Sequence, residues 1–326
     1  MAGPKKHHYV QRAYLHRWSD KDGDIYICDL ANGNIHKGPA KSAAWGKYYY
    51  CLEDPDHPEY RFEIEEFLAN YIEDPANPLI DKLDQETELN QAEKSHLALY
   101  IAFQRTRVPY FKKFSDELTE IFHKEAMLKI LKDEKLFGRF MAENAEKHKI
   151  LKRIPSREEM IKAIEEGRVK MKYPRASSLK SMLEVSVPLS DLYSGLQWIL
   201  LRGKGSAYIT SDNPATTMSF AKKTGDSRGE TTFPISPQHC ILIDQEIQGK
   251  VAIVEEEESD VWEVNRRTLL HATRYLFGNN QNLLQECYEE YVRLEPLRLQ
   301  MTTTHLNNGK LVGSGEKLFT KRNLIL

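Results

Sequence analysis

The stretch from Ala92 to Phe111 constrains the fold of this chain more than any other. Within it Leu97, Ala98, Leu99, Tyr100, Ile101, Ala102 and Phe103 follow one another and leave a helix with little polar face. A surface helix carries an apolar stripe and a charged back, whereas one that is apolar all round is normally covered on every side. The rest of the chain must therefore wrap this segment. Its 326 residues, 40% of them hydrophobic, suffice for a sizeable core.

The covering elements can be read on both sides. Upstream, Asp24 to Leu30 alternates as a strand, Ala31-Asn32-Gly33-Asn34 supplies a turn, and Ile35-His36-Lys37 returns, which predicts a β-hairpin. Tyr48-Tyr49-Tyr50-Cys51-Leu52 is a further β-prone run. Ile64, Phe67, Leu68, Tyr71 and Ile72 then recur at helical spacing on one face, with Asp74-Pro75 predicted to end that helix. Downstream, Ser115 to Leu151 reads as charged helix broken near Gly138, and Ser156-Arg157-Glu158-Glu159 as a capping box opening a helix that stops near Gly167. After about residue 185 short strands return at 196–201, 207–210, 231–235, 240–243 and 251–254, with helices at 264–272 and 283–294 around Tyr275-Leu276-Phe277. Lys222 to Glu230 reads as a flexible loop.

These patterns predict an α+β fold with a mostly helical middle, an N-terminal β-hairpin and a small mixed C-terminal sheet. It would be one two-lobed domain over residues 1–306 (β-rich 1–55, helical 56–185, β-rich with helices 186–306), followed by a polar tail, 307–326.

Charge excludes a simple nucleic-acid field. Forty-six Lys and Arg against 48 Asp and Glu give a net charge of −2, and the pairs Lys5-Lys6, Lys112-Lys113 and Arg266-Arg267 are short enough to be solvated faces. Cys28, Cys51, Cys240 and Cys287 are far apart with no CxxC pair, as expected of reduced thiols in the cytoplasm. No run approaches the roughly 18 apolar residues of a membrane helix, and no apolar run follows the basic N-terminus as in a signal peptide.

Several strong chemistries are absent as motifs. Arg202-Gly203-Lys204-Gly205-Ser206 lacks phosphate-loop spacing, and there is no GxSxG, HExxH or GxGxxG. A restriction-type nuclease core would need a lysine two places after Glu246, where Gln248 stands. His7, His8, His16 and His36 have no cysteine or acid at metal-ligand spacing.

Two constellations remain. Gln104, Arg105 and Arg107 lie at the end of the apolar helix, where at least one of Gln104 and Arg107 must point inward. A buried arginine needs an anion. Either it pairs internally with Glu65, Glu66 or Glu73, or it clamps a ligand's anionic group. In Ile209-Thr210-Ser211-Asp212-Asn213-Pro214 a β-run delivers a hydroxyl, a carboxylate and an amide into a proline-fixed turn. Such residues can cap the turn itself or serve a site at a strand end.

The ordered set His7-His8-Tyr9-Val10 with Tyr14-Leu15, Tyr48-Tyr49-Tyr50, Glu65, Ile72-Glu73, Gln104 with Arg107 and Pro109, Thr210 to Pro214, Phe233-Pro234-Ile235-Ser236-Pro237, and Asn265 with Arg274-Tyr275 resembles a mainly bacterial family catalogued as domain of unknown function 4238. The resemblance spans about residues 7–280. The family usually follows its N-terminal His-Tyr with Pro-Gln, and Gln11-Arg12 stand there instead. The resemblance brings no established activity, although the type of family suggests bacterial defence.

If these motifs converge, His8, Gln104, Arg107, Ser211, Asp212 and Asn213 line one cleft. The leading expectation is an enzyme acting on a phosphate-containing substrate, a nuclease or other phosphodiester hydrolase. Arg107 would hold the anion, Asp212 would serve as base or as ligand to a divalent metal ion, and His8 as acid–base group. Gln104 and Asn213 would orient a nucleic acid or nucleotide. The alternatives are a non-catalytic module whose helical face and acidic run Glu255–Glu258 meet a protein partner, and a nucleotide-sensing pocket without turnover.

Overall fold

The computed structural model describes residues 5–52, 58–144, 155–171, 173–221, 227–244, 252–294, 298–307 and 310–318. The chain forms two compact units: Met1–Lys112 with Arg175–Leu294, and Lys113–Pro174 with Glu295–Leu326.

The helix Gln91–Thr106 is the axis of the first unit. A capping box starts it, Asn90 accepting from the Glu93 N–H and Glu93 from the Asn90 N–H, so two otherwise unpaired amides are satisfied. Leu97, Ala98, Tyr100, Ile101, Ala102 and Phe103 are all buried. At about 1.5–3 kcal/mol for each fully buried large apolar side chain, this segment is a major source of stability. The helix Arg175–Gly195 packs along it, tied by hydroxyl pairs Thr106–Ser186 at 2.6 Å and Ser95–Ser194 at 2.7 Å. The helical run ends at Thr106 rather than Phe111. Pro109 disfavours helical geometry at Val108 and opens the next helix, Pro109–Lys132. Arg107 is left at the corner as the C-terminal cap.

Two larger sheets and a small one surround this axis. Strands β1 (Lys6–His8) and β4 (Trp45–Lys47) form an antiparallel pair, while β2 (Asp24–Asp29) and β3 (Asn34–Pro39) are the expected hairpin. Gly33 in its turn has φ +71°, and a Cβ there would run into the Tyr288 ring. Further on come β5 (Gln197–Gly203), β6 (Thr210–Ser211), β7 (Thr216–Ala221), β8 (Ser227–Pro234), β9 (His239–Asp244), β10 (Ala252–Glu256) and β11 (Tyr275–Gly278). One sheet has the order β10-β5-β9-β8-β7 and is mixed, because β10 runs parallel to β5. The other has the order β3-β2-β11-β6, which sets the strand before Asp212 two places from the N-terminal hairpin. The helices Glu258–His271 and Gln281–Arg293 flank β11 in sequence. The fold is α+β.

In the second unit the helices continue through Lys132 and then Glu134–Glu143, with Arg157–Glu165 following. The break falls at Asp133, whose side chain caps the new helix through Lys135 and Leu136 N–H groups, and Gly138 lies inside it. Ser156 and Glu159 form the expected capping box, and Gly167 follows with φ +68°. β12 (Arg298–Asn307) pairs with β13 (Lys310–Leu318), so much of the stretch read as a polar tail is a strand.

Other local readings differ for identifiable reasons. Tyr48–Leu52 is a turn: Tyr48 has φ +52°, and the Cys51 N–H bonds back to its carbonyl at 3.2 Å. Asp74-Pro75 does not end a helix. Glu63–Phe67 passes into a π-helix, Leu68–Glu73, and then into the α-helix Asp74–Asp84, whose first turn tolerates Pro75. The wider winding buries Ile64, Leu68 and Ile72 but turns Phe67 and Tyr71 outward, 37% and 66% exposed. The predicted strand at 207–210 is only Thr210–Ser211. In the loop read over 222–230, Ser227 onward belongs to β8, and 222–226 lie outside the described residues, as do Glu246 and Gln248. Among the described residues no helix is long and apolar enough to cross a membrane. All four cysteines are free and buried.

Candidate functional site

The turn after β6 is closed on itself. Ser211 Oγ donates to the Asn213 carbonyl at 2.9 Å and accepts from the Asn213 N–H at 3.1 Å, and Asn213 Nδ2 donates to the His271 carbonyl at 3.0 Å. Asp212 Oδ1 accepts from the Thr273 N–H at 2.7 Å, and Oδ2 from those of Arg274 and Tyr275 at 2.8 and 3.2 Å. Burial pushes its carboxyl up to about 6, against the pull of those three donors. The carboxylate therefore anchors the crossing from the helix Glu258–His271 into β11. Its neighbours do similar work: Asn265 Oδ1 accepts from the Ile209 N–H, Tyr14 donates to the Pro234 carbonyl at 2.7 Å, and Arg274 pairs with Asp29 at 2.9 Å. Only Asn213 Oδ1 among the Asp212 and Asn213 side-chain atoms is buried without a partner.

The end of the central helix is built differently. Gln104 and Arg107 both point inward and are 0% and 2% exposed. Arg107 Nη1 donates to Glu73 Oε1, which settles the internal partner among the three glutamates the sequence offered. Glu73 reaches it from the last position of the π-helix. Arg107 Nε and Nη2 are buried with no acceptor. Burial works against its charge, but Glu73, Tyr50 and Tyr100 outweigh it and hold the guanidinium firmly protonated. One helical turn back, the Gln104 amide lies near the Tyr100 hydroxyl, whose hydrogen is given to Gln11 Oε1 at 2.7 Å, yet neither amide atom completes a hydrogen bond. Four buried polar atoms without partners within one turn of helix are unusual, because each orphaned group costs on the order of 1–3 kcal/mol.

Two acid–base groups lie within electrostatic reach of Arg107. Burial, with the Glu73 charge second, pushes the Glu65 carboxyl up to about 7, Arg107 opposing. His7 Nδ1 stands 3.6 Å from Glu65 but already accepts the Tyr50 N–H at 3.1 Å, so the ring offers Glu65 no proton from that nitrogen. His8 is half-buried, and its Nε2–H donates to the Lys41 carbonyl at 3.2 Å, which leaves Nδ1 as the acceptor. Burial holds this imidazole below its ordinary value, Arg12 and Arg107 lowering it further while the Lys41 carbonyl and Glu73 raise it. Lys41 also lines a cleft of about 330 Å³ with Arg12, His16 and Asp22.

His8, Gln104 and Arg107 thus share one electrostatic neighbourhood. No hydrogen bond or ion pair joins Asp212 to any of them among the described residues. Glu65, Tyr50, Tyr100 and Gln11 are additions. Gln11, in the place of the family's proline, is buried and takes the Tyr100 hydrogen bond, while Arg12 is exposed. The available signal was the inward arginine's demand for carboxylates on the preceding helix. Among the described residues, no group of three or more His, Cys, Asp or Glu side chains is placed to hold a metal ion.

Fold and site together define an α+β protein with a buried glutamine–arginine centre facing a carboxyl pair. The chain belongs to the family described as protein of unknown function (DUF4238), whose model matches residues 6–282. No curated protein and no solved structure matches it.

Proposed function

We propose that the protein is an enzyme acting on a phosphate-containing substrate, a phosphodiester hydrolase of the nuclease kind, with its site at Arg107. The observation that carries this is the set of buried donors and acceptors left unbonded on Arg107 and Gln104. A guanidinium edge with Nε and Nη2 free matches two oxygens of a phosphate, and the amide beside it can accept from or donate to the same substrate. Hydrolysis adds hydroxide to phosphorus and a proton to the departing oxygen. Glu65, titrating near neutrality, and His8, with a free Nδ1, are the groups suited to give and take those protons. In this reading the acid–base role expected of Asp212 passes to Glu65, and Asp212 holds the chain crossing beside the site. The four buried free thiols fit work in a reducing cytoplasm.

One observation favours a non-catalytic role. Ser211 and Asp212 are satisfied entirely within the chain, as in a module knitted together by its polar turn. The Arg107 centre would then hold a nucleotide without turnover. Incubating the purified protein with labelled RNA, DNA and nucleotides, with and without divalent metal, separates the two. Cleaved products support the enzyme; saturable binding of uncleaved nucleotide supports the sensor.

A further inference from the structure

The β1–β4 pair gathers cations that lie far apart in sequence. In the β1–β4 pair Lys6 stands opposite Lys47, and Lys6 Nζ lies 4.4 Å over the Trp45 ring. Next in the chain, Tyr48 takes the left-handed conformation with φ +52°. Its N–H donates to the Lys5 carbonyl at 3.0 Å, and its carbonyl accepts from Arg175 Nη1 at 2.5 Å. Lys47 and Arg61 sit over its ring, 5.7 and 5.1 Å from the centroid. Trp45, Lys5, Lys6, Lys47, Arg61 and Arg175 are all exposed. Among the described residues Lys5, Lys6, Lys47 and Arg61 form no ion pair with a carboxylate, in a chain whose net charge is −2. Their clustering is therefore a property of this face and not of the composition.

The strip is joined to the Arg107 centre through His7, the middle residue of β1. Its buried ring meets the Tyr48 ring edge-on at 6.4 Å, stacks on Tyr50 at 6.0 Å, and stands 3.6 Å from Glu65. The exposed Trp45 ring and the half-buried Tyr48 ring, beside cations with no carboxylate partner among the described residues, suit a chain that offers flat bases and phosphates in alternation. A duplex keeps its base faces stacked on one another, so only a single strand can lay bases on these rings.

We propose that this strip binds single-stranded nucleic acid, bases stacking on Trp45 and Tyr48 while the phosphates follow the lysines and Arg61. It leads the strand to the Arg107 site, and so rests on the reading of that site as a phosphate binder.

The test is fluorescence anisotropy of the full chain with labelled single-stranded RNA and DNA and a duplex of equal length, across a salt series. Either single strand should bind at least tenfold tighter than the duplex, and the RNA and DNA arms decide which is preferred. Trp45→Ala should weaken binding about tenfold. The exposed Lys47→Glu/Arg61→Glu pair should weaken it further and flatten the salt dependence by about 1.4 in log–log slope, roughly 0.7 for each phosphate no longer neutralised. Circular dichroism melts of both variants should match wild type. Duplex binding as tight as the single strand, strip variants that bind like wild type, or equal competition by poly-glutamate overturns the proposal. Mononucleotide binding to the same variants separates the two ideas. If the strip is wrong but the Arg107 reading holds, mononucleotide binding persists while single-strand affinity ignores the strip. If Gln104→Met leaves mononucleotide binding unchanged, it is the Arg107 reading that fails.

Discussion

One nitrogen of the Arg107 guanidinium donates to Glu73, while Nε and Nη2 of the same group are buried and unbonded. A structural ion pair would not need that free edge. Arg107→Lys keeps the charge beside Glu73 and loses the planar edge, so the variant should fold and lose about 100-fold in phosphodiester cleavage. Arg107→Met should also destabilise the protein, by on the order of 1–3 kcal/mol, because Glu73 is 18% exposed and loses its partner. Urea denaturation beside an activity assay reads both effects.

Asp212 is predicted to behave as a structural anchor. Asp212→Asn replaces one acceptor oxygen with a donor facing backbone N–H groups, at a cost on the order of 2 kcal/mol. Loss of stability should accompany any loss of activity. A variant that melts like wild type yet is inactive would return Asp212 to the chemistry.

How much of this was legible in the sequence differs by element. The hairpin around Asn32-Gly33, the apolar helix and most strands of the C-terminal sheet were legible from spacing and turn residues, although the helix was read on to Phe111 and β7 was not read at all. The π-helix Leu68–Glu73 was not legible, since a change of winding leaves the same residues in the same order while rotating Phe67 and Tyr71 outward. Gln104 and Arg107 were visible as polar residues on an apolar helix, and the demand for an anion pointed to Glu73. The fate of Asp212 was not visible. A turn that bonds its own neighbours and one that serves a ligand use the same residue types, and only the position of the Thr273–Tyr275 amides tells them apart.

Glu65 carries a pH signature. Its folded value, raised from 4.5 to about 7, means that the folded protein binds the proton more tightly than the unfolded chain. Stability therefore declines as pH rises from about 4.5 to about 7, and the cost of the charge is fully present above that. Glu65→Gln removes it, so at pH 8 the variant should be about 2 kcal/mol more stable than wild type, and at pH 4 no more stable. The pH–activity limb near 7 should vanish with it. Equal urea midpoints at both pH values would contradict the assignment.

His239 supplies a change in the same direction from another place. Its Nδ1 faces Asp84 at 2.8 Å and its Nε2 faces Glu86 at 3.4 Å, which raises its pKa, with burial opposing. The stabilisation is fully present below the unfolded value of about 6.5 and is lost as pH rises through the raised folded value. His239→Gln should flatten the fall in stability that sets in as pH rises above about 6.5. An unchanged slope would mean that the pair is too solvated to matter.

Gln104 gives the most direct test of a ligand at Arg107, because among the described residues the only group its buried amide approaches is the Tyr100 hydroxyl. Both its amide atoms are buried and unpaired, so Gln104→Met should melt at or above the wild-type temperature. The same variant should lose at least tenfold in cleavage or binding of the phosphate-containing substrate. A Gln104→Met protein that melts well below wild type, or that handles the substrate as wild type does, would show that the buried pair is part of the core and not a site.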